Sequence, residues 1–244
     1  MKRVAVVAHR GASGTHPENT ASAFAEAVRL QVEAIELDIH LTRDGQLLLS
    51  HDASVDRISD GSGLVANMDL SQIRQLDAGG WFDLRFAGER FLILEEALEL
   101  IPPAITLNVH VKARDNDRDV VVPLTVELLR KHRRLEAAFI AADEASLAIA
   151  RRTEPRLSIC NLSTQPKSTY VARSHAINCR ILQPAHHATT RELVAEAHSR
   201  GMAVNPFYAD DEEEMVRLIN CGVDGILTNY PRLLQEVLSQ EDRA

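Results

Sequence analysis

Short β-branched runs alternate with amphipathic segments along most of the chain. Val4 to Ala8 predicts a first strand. The helix after it can be capped by Asn19 or Thr20 and carries Phe24 and Val28 on one face. Ala34 to Ile39 predicts a second strand, and a turn at Arg43-Asp44-Gly45 leads into a further extended run, Gln46 to Ser50. The alternation then lapses. From Asp52 to about Glu89 glycines punctuate the chain, with Trp81, Phe82 and Phe86 among them. This pattern predicts an insertion, roughly residues 52–90, folded against the main body.

The alternation resumes with a helix over Leu94–Ile101, stopped by Pro102-Pro103, and a strand over Ile105–Val111. Further helices are predicted over Asp119–His132, Asp143–Arg152 and about Gln165–Arg173, and strands over Ala137–Ala141, Leu157–Asn161 and Asn178–Gln183. Thr189 and Glu192 form a capping-box pair for the next helix, which Gly201 closes. A strand over Met202–Asn205, a helix capped by Asp210, a strand over Gly225–Thr228 and a helix over Pro231–Leu238 complete the pattern. With Gln46–Ser50 set aside, eight strands alternate with eight helices. At 244 residues this predicts an α/β fold: a (β/α)8 TIM barrel over residues 1–244 as one domain, with a small insertion after the second strand region. A doubly wound open sheet shares the periodicity and stands as the alternative. Gly11 and Gly14 do not give the spacing of a dinucleotide fingerprint.

Charge and composition remove some partners. The formal net charge is −8, and the densest basic run, Arg130 to Arg134, reads as the solvated polar end of a helix, so no nucleic-acid partner is expected. Cys160, Cys179 and Cys221 match no zinc or redox spacing and read as reduced thiols. Val4–Ala8 is too short for a signal-peptide core and no run could span a bilayer, which predicts a cytoplasmic protein. The oligomeric state stays open, a homodimer included.

In such a barrel the polar residues at the C-terminal ends of strands carry the chemistry. Here these are His9 and Arg10, then Glu36, Asp38 and His40, then His51 after the extended run, then Asn108, His110 and Lys112. Glu36 and Asp38, two apart on a strand, face one side. Two converging carboxylates repel unless a cation lies between them, and oxygen ligands suit Mg2+, Ca2+ or Mn2+. His9 and His51 titrate near neutrality and suit acid–base work. Arg10 and Lys112 are candidate phosphate clamps, with salt bridges at the barrel rim as the alternative reading.

Five runs, in order from one end to the other, resemble the glycerophosphodiester phosphodiesterase family: AHRGASGTHPENTASAF (8–24), IELDIHLTRDGQLLLSHD (35–52), LDAGGWF (76–82), FAGER (86–90) and GVDGILTNYP (222–231). Residues 113–200 carry little of the signature. The resemblance implies a metal-dependent phosphodiesterase that cleaves a small glycerophosphodiester to an alcohol and glycerol 3-phosphate. It implies that His9 and His51 are the acid–base pair, that Glu36 and Asp38 bind one divalent cation, and that Arg10 and Lys112 meet the phosphate. Glu18 and Asn19 would shape the loop behind the first strand.

Two strands depart from the family pattern. Where the family reads N-I-E-I-K, with the Glu a third metal ligand, this chain reads Asn108-Val109-His110-Val111-Lys112. His110 as a ligand would favour a softer ion such as Mn2+ or Zn2+. Alternatively two carboxylates and water hold the metal, or the chain has moved to another phosphodiester, to a lyase reaction ending at a cyclic phosphate, or to binding alone. In place of the family's V-W-T-V-N segment stand Val204-Asn205-Pro206-Phe207-Tyr208, where Phe207 or Tyr208 can supply the apolar wall for the alcohol. Gln183, His186 and His187 read as loop residues.

Overall fold

The alternation folds into eight parallel strands joined by helices on the outside. The structure, a computed structural model, describes residues 4–163 and 167–241. The strands are β1 (Ala5–His9), β2 (Ala34–Leu41), β3 (Leu47–Leu49), β4 (Thr106–Val111), β5 (Ala138–Ala142), β6 (Ser158–Asn161), β7 (Ile181–Leu182), β8 (Ala203–Val204) and β9 (Gly225–Thr228). The helices are α1 (Ala21–Arg29), α2 (Leu70–Ile73), α3 (Leu94–Leu100), α4 (Arg118–Lys131), α5 (Glu144–Thr153), α6 (Lys167–Ala176), α7 (Arg191–Ser199), α8 (Glu212–Cys221) and α9 (Pro231–Glu241).

The sheet runs β8-β7-β6-β5-β4-β2-β1-β9, with β3 antiparallel against β2. Apart from β3 this is chain order taken in a circle, because β1 lies between β2 and β9. The ladder stops between β8 and β9, where backbone bonds bridge the gap: Asp224 N–H to Val204 O (2.9 Å) and Leu227 N–H to Pro206 O (3.0 Å). The result is a nearly closed barrel, not the doubly wound open sheet.

Strand periodicity sorts the side chains into two layers. Val6, Ala8, Ile35, Leu37, Ile39, Leu107 and Val109 point outward and pack with Phe24, Leu98, Val122 and Leu147 of the helices in the main core. Each fully buried Val, Leu or Ile among them contributes roughly 1.5–3 kcal/mol. Val7, Ala34 and Leu227 form a small separate cluster, and Phe139, Ala141 and Cys160 another, packed with Leu162 and Ile181. On β2 the outward positions alternate with Glu36 and Asp38, which therefore face the barrel axis. The inserted segment packs Val55, Ile58, Val65, Ile73 and Ala78 on Leu48 and Phe91, a cluster of its own.

Several local expectations shift. The cap of α7 is Thr190, which accepts from the Leu193 amide; Thr189 is buried and donates to Ala185 O. The cap of α8 is Asp211, not Asp210. Where two candidate caps adjoin, backbone geometry picks the one whose side chain reaches the N3 amide. The strands expected over Asn178–Gln183 and Met202–Asn205 shrink to two paired residues each, and Asn178 takes a left-handed φ of 58° at the end of its helix. Gln165, in the helix expected up to Arg173, lies outside the described residues. Cys160 and Cys179 are buried thiols and Cys221 is half-buried.

Arg134 overturns the solvated reading of its basic run. It is buried, and its guanidinium donates to Ile101 O and Ile105 O at 2.7 Å each, tying the end of α3 to the approach to β4. Arg134→Met keeps the stem but leaves both carbonyls unpaired. It should lower the unfolding free energy by about 2–4 kcal/mol, since a buried group left unsatisfied costs about 1–3 kcal/mol. Urea unfolding monitored by circular dichroism checks this; an unchanged midpoint would refute it.

Candidate functional site

Register across three adjacent strands assembles the site. His9 pairs with Glu36, Glu36 with Asn108, and Asp38 with His110. Because β1, β2 and β4 are neighbours in the barrel, residues 9, 36, 38, 108 and 110 share one patch of its upper interior. His51 follows β3, whose antiparallel pairing with β2 folds it back toward that patch. The His40 ring also holds it there, with Nε2 3.2 Å from the His51 carbonyl.

At the centre Glu36 and Asp38 are almost wholly buried. Burial, then the charge of Asp38, push the Glu36 carboxyl well above the usual range. Burial pushes Asp38 the same way but is overcome: His110 Nδ1 lies 2.9 Å and Lys112 Nζ 3.2 Å from Oδ1, and Arg10 Nε 3.3 Å from Oδ2, holding it well below the usual range. A divalent cation between the two carboxylates would offset their mutual repulsion. Ligand atoms of Glu36, Asp38 and His110 all lie within 4.8 Å of one another. His110 is shifted down, chiefly by burial, so its ring is available as a neutral ligand. Both amide atoms of the buried Asn108 have no hydrogen-bond partner. A donor set of two carboxylates and an imidazole, with orphaned polar atoms beside it, fits a divalent cation.

Arg10 reaches Asp38 through an unusual backbone. Its φ is +57° and that of Gly11 is +80°. This turn aims the Arg10 amide at Glu36 Oε2 (3.0 Å). A Cβ on Gly11 would sit 2.7 Å from the Ala23 carbonyl carbon, so glycine is required there.

The two histidines are held differently. His9 is buried, and Nδ1 lies 2.7 Å from Asn229 Oδ1. Asn229 Nδ2 donates to Asp210 Oδ2 (2.5 Å), which fixes the amide so that its oxygen faces the ring. His9 Nδ1 is therefore the donor, and the lone pair sits on Nε2, 3.9 Å from Glu36 Oε2. The ring stacks on Tyr208 with centroids 5.0 Å apart. Burial foremost, then Arg10, bring its pKa down to about 4. His51 is more open, with Nδ1 2.7 Å from Asp52 Oδ1. Arg57 clamps Asp52 (2.7 Å) and Glu18 (2.8 Å), and Glu18 in turn accepts from Arg10 (3.1 Å). The Arg57 bond is the largest cause holding the Asp52 carboxyl down at about 2.

Of the residues singled out in the sequence, His9, Arg10, Glu36, Asp38, His51, His110 and Phe207 line one cavity of about 420 Å3. Lys112 does not line it; its ammonium stands against Asp38. Phe207 and Tyr208 are both partly exposed at its edge. A larger groove, about 710 Å3 beside α1 and α9, holds His16 but none of the acidic cluster. Chemistry, not size, identifies the site. The sequence did not mark Asn229 or Asp210 as site residues, although the spare Asp beside the α8 cap was a usable signal. Among the described residues no helix is long and apolar enough to cross a membrane.

The sequence model of the Glycerophosphoryl diester phosphodiesterase family matches residues 9–233. A glycerophosphodiester phosphodiesterase of Caldanaerobacter subterraneus subsp. tengcongensis is 35% identical over 94% of this chain and 95% of its own. One from Bacillus subtilis (strain 168) is 30% identical over 96% and 86% respectively. Among solved structures, an Oleispira antarctica phosphodiesterase in complex with the product sn-glycerol-3-phosphate superposes with a TM-score of 0.91, at 28% identity and 96% coverage of both chains. With the family model spanning nearly all of it and the same barrel in its structural neighbours, the chain belongs to the glycerophosphoryl diester phosphodiesterase family of enzymes.

Proposed function

We propose that this protein hydrolyses glycerophosphodiesters to an alcohol and sn-glycerol 3-phosphate, using a divalent cation and two histidines. The observation that carries this reading is the convergence of the Glu36–Asp38–His110 cluster with His9 and His51 on one cavity. Family membership, and a structural neighbour solved with that product, support the substrate class.

Glu36, Asp38 and His110 would hold the cation. When bound, it supplies charge that offsets the phosphoryl oxygens and lowers the pKa of the neighbouring glycerol hydroxyl. His9, neutral and with its lone pair on Nε2, is suited to take that hydroxyl's proton as the oxygen attacks phosphorus. His51, whose Nδ1 faces Asp52, is suited to donate from Nε2 to the departing alcohol. Water then opens the cyclic phosphate with the two roles reversed. Arg10, half-buried against Asp38 and Glu18 and lining the cavity, orients a phosphoryl oxygen. Phe207 forms part of the wall beside the alcohol.

His9→Ala and His51→Ala should each lower kcat by roughly 10²–10⁴-fold, the span typical of a general acid or base, with the metal content of the purified protein unchanged. Phosphorus NMR and atomic absorption check the pair. Full activity in either variant would overturn the assignment.

The third ligand sets metal preference. His110→Glu replaces an imidazole with a hard oxygen donor and should raise the ratio of Mg2+-supported to Mn2+-supported activity by about tenfold or more. Calorimetric titration of each ion into the metal-stripped protein should show the same shift. An unchanged ratio of affinities would mean that residue 110 is not a ligand.

His9 also makes stability depend on pH. In the unfolded chain it takes up a proton near pH 6.5, but in the folded protein only near 4. Between these values the unfolded state binds more protons, so stability rises with pH across pH 4 to 6.5, by about 3 kcal/mol for this group alone. Denaturant titrations of the metal-free protein at pH 4.5 and 7 should show that rise, and His9→Gln should flatten it.

A further inference from the structure

A second cavity, about 330 Å3, adjoins the reacting one. Leu162, Gln183 and Phe207 line both. Beyond that shared wall the lining is largely apolar, with Ala185, Ala188 and Leu193 contributing and Ser163 and His187 as the polar members beside Tyr170. The Tyr170 hydroxyl is already engaged, donating to Asn161 O (2.8 Å) and accepting from the Gln183 amide (3.2 Å). Among the described residues that line it there is no carboxylate, ammonium or guanidinium. An ammonium group would find no carboxylate among those residues, only the faces of Tyr170 and Phe207, and burying an unpaired charge is costly. An aliphatic or aromatic group would instead gain about 25 cal/mol per Å2 of surface removed from water.

The shared wall carries one unsatisfied polar group. Gln183 is buried, and while its Oε1 lies 3.5 Å from Cys160 Sγ, its Nε2 has no partner. A buried donor without an acceptor costs about 1–3 kcal/mol, and a substrate oxygen at this wall would remove that cost.

We propose that this cavity is the subsite for the leaving alcohol. It selects glycerophosphodiesters whose alcohol is neutral and carries an apolar chain or ring of about ten heavy atoms, at about 30 Å3 for each. Gln183 Nε2 donates to a substrate oxygen at the boundary between the two cavities. The inference rests on the phosphodiesterase reading above and adds the class of alcohol.

The test measures binding, so it does not depend on turnover. Calorimetry on the Mn2+-loaded His9→Ala protein compares glycerophospho-octanol, glycerophosphoethanol and glycerophosphocholine. The octyl diester should bind at least about tenfold more tightly than either of the others, given six additional methylenes over ethyl. Ala188→Trp, added in the same background, should bring the octyl-to-ethyl ratio close to one. Gln183→Leu should weaken the octyl and ethyl diesters by a similar factor. Should Ala188→Trp fail to fold by circular dichroism, the octyl-to-ethyl ratio of the parent decides alone. Equal affinity for octyl and ethyl, or tighter binding of the choline diester, overturns this inference and leaves the proposed function standing. Binding of none of the three overturns both.

Discussion

Two carboxylates set two residues apart on the inner face of β2 cannot both ionise inside a barrel without positive charge around them. Glu36 and Asp38 are that pair, and much of the upper barrel is arranged about them. His110 of β4 and Lys112 just after it stand against one oxygen of Asp38, and Arg10 against the other. The Arg10 backbone enters the left-handed region so that its amide can reach Glu36, and Gly11 follows because a side chain there would strike Ala23. The strain of the turn, roughly 1–3 kcal/mol for a non-glycine residue in this region, is borne next to the acids, where it positions a donor.

A second tier of contacts fixes the histidines. The Asp210–Asn229 pair holds the His9 ring in one tautomer, and Tyr208 covers a face of it. On the opposite side Arg57 joins Asp52 to Glu18, so the partner of His51 and the partner of Arg10 are locked in one network. The inserted segment therefore does more than cover β3, because Arg57 lies within it. These groups leave Nε2 of His9 facing the acids, which is the geometry the proposed proton transfer requires.

His110 is the residue on which the metal preference proposed above turns. It packs against Asp38 and brings a neutral donor, not a third carboxylate, to a site that already confines two. Its influence on the proposed cation follows from donor chemistry: an imidazole beside two carboxylates favours a softer ion than three oxygens would. The apolar chamber beyond Gln183 bears, in the reading proposed above, on the alcohol and not on the phosphate.

Hydrophobic periodicity by itself determined the eight-fold alternation of strands and helices, since an inward-outward sequence of period two and an amphipathic stripe of period 3.6 are local properties. It also determined that Glu36 and Asp38 share a face, and the strand-end positions picked out His9, His51 and His110. What it left open was decided by tertiary contacts. Closure of the barrel rests on β1 pairing with both β2 and β9, partners far apart in the chain. Arg134 looked solvated because its neighbours are basic, yet it is buried by carbonyls more than 25 residues away in sequence. Asp210 looked like a helix cap because any Asp before a helix can serve, and only the approach of Asn229 shows which of two adjacent aspartates is committed elsewhere. Local pattern fixes which face a residue presents; which groups meet on that face depends on long-range register, which is not written in any short stretch of sequence.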